Sequence, residues 1–591
     1  MPTLQSEKPQ WRIKTPDPAQ VDEIVRKHGV SQLVASLLSN RGHVAGDETA
    51  EHLLPNLQNL HDPMELPDME IACARLAEAI EKQEMILVHG DYDVDGVTGT
   101  TLLVRLFQHL GARVSWHIPS RFDDGYSFGD HSLRKAEQVG ASIVVSVDNG
   151  TSSVDTIAAL KAMGIDTIVT DHHEPPKGDL PEALAIVNPK LPTSRYPFRE
   201  LCGAAVAFKL AWGLCQRISG ATRVRDDLRQ FLVDSMGLVA IATVCDVVPL
   251  ENENRILCHF GLKALGASRA PGFQALLEVT GLKGRSLCAE DVAFQIGPRI
   301  NAAGRLETAG RAVEVFLAAD ALQGRNAARQ LDDLNIKRRE LERGLTEQAM
   351  KMAQPYGEDP NCPVILVGGQ GWHQGVIGIV ASRLVDRFHK PALVFGFDGE
   401  EGRGSARSVP GFSVLATMHA GAEFMGRYGG HEQAAGCDMS EKDLPALREA
   451  VNKEALRMLE AQPRAAACLE IDAEVPFETM VDSQMRLIDR MEPFGQGNGQ
   501  PILLSKELRL AEEPRRIGQD GNHLLLKVRQ GSVVHKALFF GAGARVQELA
   551  MGRPLHLVYT PRWNTFRGET SMQLLIKDMH CGDTPPLVAS R

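Results

Sequence analysis

The stretch HGDYDVDG, residues 89–96, places His89, Asp91, Asp93 and Asp95 within seven positions. Carboxylates crowded that closely repel one another and cost free energy unless positive charge stands among them. Further donors follow: Asp148 in VDNG, Asp171, His172 and His173 in TDHHE, and Asp246 in TVCDVVP. Carboxylate oxygen mixed with imidazole nitrogen suits Mn²⁺, Fe²⁺, Co²⁺ or Zn²⁺, whereas oxygen alone leans to Mg²⁺ or Ca²⁺. These donors outnumber what one tetrahedral ion takes, so they point to two ions. That arrangement activates a water for in-line attack on phosphorus.

Each donor group ends an apolar run. MILV leads into His89, SIVVSV into Asp148, and DTIVT into Asp171. Amphipathic stretches such as VTGTTLLVRLFQHLG and VDTIAALKAMG separate these runs. Near-continuous Val/Ile strands alternating with helices predict a parallel sheet covered on both faces. In such a sheet ligands bind outside the carboxyl ends of the strands, so the clusters converge in space.

The rest of the chain divides by pattern. Residues 1–70 read as an N-terminal segment of short helices and loops, and 71–320 as the α/β unit with a mostly helical second half. A pattern over 314–354, with Leu331, Leu334, Leu341 and Leu345 on one stripe, predicts a long helix of about 60 Å; 321–355 is taken as the connecting helix. Residues 356–465 form a smaller α/β unit, and 466–591 read as short strands and turns that suggest a β-barrel.

Composition sets bounds. The 591 residues are 43% hydrophobic and 24% charged, with a net charge of −11. The charge is uneven, because residues 501–591 hold 13 Lys and Arg against 8 Asp and Glu. A basic terminal module on an acidic body fits local contact with phosphates. No apolar leader and no stretch approaching a membrane span is read, so no membrane association is expected. Ten cysteines without a CxxC pair suggest reduced thiols and a cytoplasmic protein.

Weaker clusters suit anions and bases. GRGSARS carries Arg403, Ser405 and Arg407, and GPRINAAGR carries Arg299, Asn301 and Arg305 on what reads as a glycine-flanked turn. GRYGGHEQAAG carries His431, and SRFDDGYSFG carries Arg121 and Tyr126. Guanidinium forks and a hydroxyl suit a terminal phosphate. In YTPRWNTFRGETSMQLLIKDM, Trp563 and Phe566 interleave with Arg562 and Arg567, as base stacking with phosphate pairing would need.

These motifs resemble the DHH phosphoesterase superfamily. His89, Asp93 and Asp95 match its H-x₃-D-x-D spacing, and Asp171-His172-His173 match its name-giving triplet. The resemblance implies one metal on His89, Asp93 and Asp148, and a second on Asp95, Asp148, His172 and Asp246. Asp148 would bridge, and Asp171 and His173 would stand behind the ligands or contact substrate. Asp91 has no counterpart in this scheme. GGH at 429–431 resembles the DHHA1 domain, and EPFGQGNGQP at 492–501 resembles a linker of the RecJ single-strand-specific exonucleases, ahead of an OB fold. The resemblance covers about residues 40–580. It implies a 5′-to-3′ exonuclease on single-stranded DNA that releases 5′-mononucleotides in recombination and repair. The implied cofactors are two divalent ions, Mn²⁺ ahead of Mg²⁺. Single-strand-binding protein and a RecQ-type helicase would be partners. Arg121, Ser405 and Arg407 would hold the 5′-phosphate. The alternative is a relative acting on short oligonucleotides or cyclic dinucleotides.

Overall fold

The computed structural model describes residues 9–122, 124, 128–461, 468–566 and 569–588, without the side chains at 565 and 566. Its first sheet is five-stranded and fully parallel. The order is Arg113–His117, Met85–Gly90, Ile143–Val147, Asp166–Thr170, Ala185–Val187. The order reverses beside Met85–Gly90, so the carboxyl ends of that strand and of Ile143–Val147 open onto one crevice. Helix Val94–His109 leaves that crevice, with Asp93 accepting from the Asp95 and Gly96 backbone N–H groups as its N-cap. Gly96 is required there, because a Cβ would sit 2.5 Å from the Asp91 backbone.

Helix Asp226–Cys245 carries Asp246 at its end. It is long and apolar enough by composition to cross a membrane, so the expectation that no stretch approaches such a span is corrected. Its apolarity is explained by burial: Leu228, Met236, Leu238 and Ile241 lie in the largest core. GPRINAAGR is also corrected. It is the helix Gly297–Leu306, following a π-turn at Val292–Ile296, rather than a turn. Its glycines serve close packing, since a Cβ on Gly304 would meet the Tyr92 carbonyl at 2.7 Å.

The connecting helix runs from Ala321 to Glu358. A separate helix, Gly310–Phe316, precedes it, and Asp320 caps its start. The second sheet has the order Tyr428–Gly430, Ala434–Ser440, Glu401–Arg407, Ala392–Asp398, Ile365–Gln370. Only its last pair is parallel. GRGSARS is therefore an inner strand. The third sheet has seven strands, and Leu503–Leu510 pairs with both Leu555–Phe566 and His523–Gln530, closing a barrel.

The N-terminal residues contain a strand that the reading of helices and loops did not include. Gln10–Ile13 lies between Cys468–Ile471 and Leu587–Val588. Four residues are too few to show a strand period. Helices Pro18–His28 and Gln32–Ser39 place Ile24, Leu37 and Leu38 in the same core as barrel residues Phe477, Leu526 and Tyr559. The two ends of the chain thus share one hydrophobic core.

Candidate metal centre

The crevice collects the acid and imidazole groups. Asp95 is buried, and its two oxygens accept from the Gly203 and Ala204 N–H groups, both at 2.6 Å, at the start of helix Gly203–Ser219. His172 Nε2 lies 3.1 Å from Asp148 Oδ1 and 3.7 Å from both Asp95 and Asp246. Asp148 follows its strand at φ 63°, a left-handed conformation uncommon outside glycine. Behind them, Asp171 accepts from the Thr151, His172 and His173 backbone N–H groups and pairs with His173 Nδ1 at 2.8 Å.

Ligand-bearing atoms within 4.8 Å of one another form four sets among the described residues. Asp95, His172 and Asp246 make one; Asp148, His172 and His173 another; Asp91, Asp93 and Asp148 a third. The fourth joins His89 to His117 and His131. The structure thus brings the expected second-metal residues together. It places Asp91, which the motif comparison left unassigned, where His89 was expected. His89 Nε2 meets Ser132 Oγ at 2.9 Å, and its buried Nδ1 has no hydrogen-bond partner. The only sequence signal for Asp91 was its place in the alternating Asp91, Asp93, Asp95 series; His117 and Ser132 had none.

The electrostatics test whether cations fit. Burial first, and then neighbouring carboxylates, push Asp91 and Asp246 to about 8 and Asp95 to about 7. Asp148 is raised well above the usual carboxylate range by burial and then by Asp95. Asp91 Oδ1 and Asp148 Oδ1 are buried without a hydrogen bond. Such a set is short of positive charge and of donors together, which is the condition a divalent cation relieves. Asp171 differs: burial would raise it, but the His173 and Thr151 hydrogen bonds win and hold it well below the usual range. Burial would lower His173, yet the hydrogen bond and charge of Asp171 raise it to about 9.

A cationic pocket adjoins this centre. The Arg121 guanidinium lies 4.1 Å over the Tyr92 ring, between Asp91 and Asp93 in sequence. Arg305 donates to the Gly375 carbonyl at 3.0 Å, and Arg407 to Ser405 Oγ at 3.0 Å. A Cβ on Gly378 would lie 2.9 Å from both Ser405 and Arg407, so helix Gln374–Phe388 floors the pocket closely. Burial first, then Arg121 and Arg407, lower Arg305 to about 10; burial and Arg121 lower Arg407. Burial is the larger cause for both, and neighbouring guanidinium charge adds to it.

Other expected residues fall elsewhere. Arg299 is bound to Asp332 and the Gln295 carbonyl, away from this group. Asn301 is half-buried one turn before Arg305, on the same helical face. Arg403 pairs with Asp438. His431 is exposed in the turn that brings Ala434 opposite Arg407. Trp563 donates to Asp489 at 2.9 Å and packs on the barrel core, so it is not a free stacking face. Tyr126, Arg567 and the Phe566 side chain lie outside the described residues. Tyr92 was missed, since a lone tyrosine between aspartates gives no signal of the cation above it.

A doubly wound sheet with this acid–imidazole cluster, faced by a smaller α/β unit carrying an arginine–serine pocket, is the two-domain arrangement of a DHH-type phosphoesterase. Family comparison agrees: the DHH family N-terminal domain matches residues 85–243, the DHHA1 domain 361–456, and the RecJ OB domain 471–578. The single-stranded-DNA-specific exonuclease RecJ of Bacillus subtilis is 34% identical over 97% of this chain and 71% of its own length. That of Haemophilus influenzae is 34% identical over 90% and 93%. The Thermus thermophilus RecJ structure in complex with Mn²⁺ superposes with TM-score 0.81 at 30% identity, covering 97% of this chain and 80% of that one. Its complex with Mg²⁺ gives 0.75 at 29%, covering 97% and 79%. The chain belongs to the RecJ family.

Proposed function

We propose that the protein is a metal-dependent exonuclease that digests single-stranded DNA from the 5′ end, releasing 5′-mononucleotides during recombination and repair. The observation that carries this reading is the adjacency of two unsatisfied clusters of opposite sign. Arg121 stacks on Tyr92 beside the carboxylates and crowds Arg305 and Arg407 from the other side. A terminal 5′-phosphate fits the pocket of Arg121, Arg305, Ser405 and Arg407. The next phosphodiester then faces the acid centre. Relatives of known structure hold Mn²⁺ or Mg²⁺. Asp95, His172 and Asp246 would hold one ion and Asp91 and Asp93 a second, with Asp148 grouped with Asp91 and Asp93 and also with His172. When bound, the ions supply water activation and neutralise charge developing on phosphate oxygens.

The chain's own groups do the rest. The Gly203 and Ala204 N–H groups fix Asp95, and Asp171 fixes the backbone of His172. His173, held through Nδ1 by Asp171, presents its Nε2–H to a phosphate or leaving oxygen. The barrel binds the trailing strand through sequence-independent phosphate contacts and stacking. A cleft sized for one strand excludes a duplex without reading bases. On family resemblance we add single-strand-binding protein and a RecQ-type helicase as partners. A cytoplasmic setting suits ten cysteines that are all free thiols.

A timed digest of 5′- and 3′-labelled single strands with Mn²⁺ or Mg²⁺ tests the reading. The 5′ label should leave first, as a mononucleotide. First release of the 3′ label would overturn it. Cleavage of four-nucleotide but not forty-nucleotide strands would favour a short-oligonucleotide hydrolase.

A further inference from the structure

The linker EPFGQGNGQP has no part in the chemistry described so far, yet buried side chains hold its backbone at several points. Arg255 is 2% exposed and makes no ion pair among the described residues. Burying a guanidinium without an anion is costly unless its donors are met. Here they are met by five main-chain carbonyls: His52 at 2.9 Å, Met491 at 2.9 Å, Pro493 at 3.4 Å, Arg490 at 3.3 Å and Glu492 at 2.7 Å. Asn498 reinforces the turn by donating to Met491 and Pro493, and Arg41 clamps Asn498 and Gly499.

This turn presses on the loop that leaves Asp246. The Leu250 N–H donates to the Gln496 carbonyl at 2.8 Å. A Cβ on Gly497 would lie 2.8 Å from Glu251 Oε1 and 3.2 Å from Pro249 Cβ, and one on Gly495 would lie 2.7 Å from Leu250 Cδ1. Asn254 ties the Pro249 carbonyl from the other side. Between Asp246 and this contact stands Val247, at φ 59° and 63% exposed. A β-branched residue in the left-handed region is strained, and such strain persists only where the surroundings over-determine it. On the far side, Cys245 Sγ sits 2.5 Å from where a Gly297 Cβ would be. The Asp246 turn is thus wedged between the start of helix Gly297–Leu306 and the linker.

We propose that the linker turn 490–499 is a positioning element for the acid centre: through Gln496 and Gly497 it sets the loop 247–251 and so aims the Asp246 carboxylate. This rests on the two-ion reading above. These ten residues lie within the OB domain, between the barrel strands Ala473–Glu474 and Leu503–Leu510, so the strand-binding module and the alignment of one metal ligand are mechanically joined.

The test is Mn²⁺ binding to the full-length protein, followed by electron paramagnetic resonance of free Mn²⁺ and by calorimetry. Gly497→Ala adds a methyl against Pro249 and Glu251. Gly281→Ala is the control, since Gly281 is also left-handed, at φ 69°, but has nothing within 4 Å of its Cβ position. Disturbing support behind a metal ligand weakens metal binding about 10- to 100-fold. Gly497→Ala should show that loss at one of two sites, while Gly281→Ala binds as wild type. Gly495→Ala, which meets only the Leu250 side chain, should shift the same site less and serves if Gly497→Ala does not fold. Wild-type affinity in both linker variants, or equal weakening in the Gly281 control, would overturn the proposal. A wild-type protein that binds no Mn²⁺ would instead overturn the two-ion reading, and this inference with it.

Discussion

The acid centre and the cationic pocket are two versions of one physical situation, solved differently. Each gathers like charges in a buried place and leaves them short of counterions. The carboxylates stand at strand ends of one parallel sheet, with Asp246 added from a helix end, and main chain fixes two of them: two N–H groups on Asp95 and three on Asp171. The guanidiniums come from three unconnected places, a loop at Arg121, a helix at Arg305 and a strand at Arg407, and are fixed by one another's surroundings. The first cluster is built within one α/β unit. The second exists only when the two α/β units face each other. A phosphodiester with divalent cations would satisfy both at once, which is why we place the reaction where they meet.

Breaking the acid side should have the largest effect. Asp148→Ala removes the carboxylate shared between the two ion sets. Loss of several kcal/mol of transition-state stabilisation, about 4, is a factor of about 10³ in rate. The metal-free protein should be no less stable, since a carboxyl whose ionisation burial and Asp95 oppose has gone. A rate above a tenth of wild type, with Mn²⁺ saturating, would refute the shared position.

Breaking the cationic side should cost less and act on binding. Arg407→Ala should raise KM for a 5′-phosphorylated strand about 10- to 100-fold, as loss of a charged hydrogen bond of about 1.5–3 kcal/mol implies. It should leave KM for a 5′-hydroxyl strand nearly unchanged. An unaltered phosphate preference in steady-state kinetics would separate the pocket from end recognition.

The smallest effect sharpens the contrast by leaving both clusters intact. Arg515 and Arg516 lie exposed on the barrel. Replacing both with Gln should weaken a forty-nucleotide strand but not a four-nucleotide one. The slope of log affinity against log salt should become shallower by about 0.7 for each phosphate no longer neutralised. Equal weakening on both lengths would argue against a separate strand-binding surface.

The acid centre was legible because a strand end followed by a polar cluster is a local pattern. His172, Asp148, Asp95 and Asp246 are each flagged by a few neighbours; the parallel-sheet rule brings the first three together, and Asp246 joins them from the end of helix Asp226–Cys245. Asp91 and His89 show the limit. Their spacing is the same in any conformation, and only the path of the backbone after Gly90 decides which one faces Asp148. Arg299 and Arg305 read alike in GPRINAAGR, yet one pairs with Asp332 and the other enters the pocket, because helical phase separates them.

The sequence by itself determined the parallel sheet, the second α/β unit, the barrel and the placement of acid and imidazole groups at strand ends. Those features follow from hydrophobic period and from residues adjacent in the chain. Only the tertiary structure decided that the N-terminal strand Gln10–Ile13 closes onto residues at the far end of the chain, Cys468–Ile471 and Leu587–Val588, and that Arg255 anchors the linker. It alone revealed that Gly497 bears on the loop beyond Asp246. Such pairings join segments whose separation in the chain carries no periodic signal. The N-terminal strand pairs through backbone carbonyls and N–H groups, and Arg255 meets backbone carbonyls, which nearly every residue possesses, so no residue type in the partner announces these pairings.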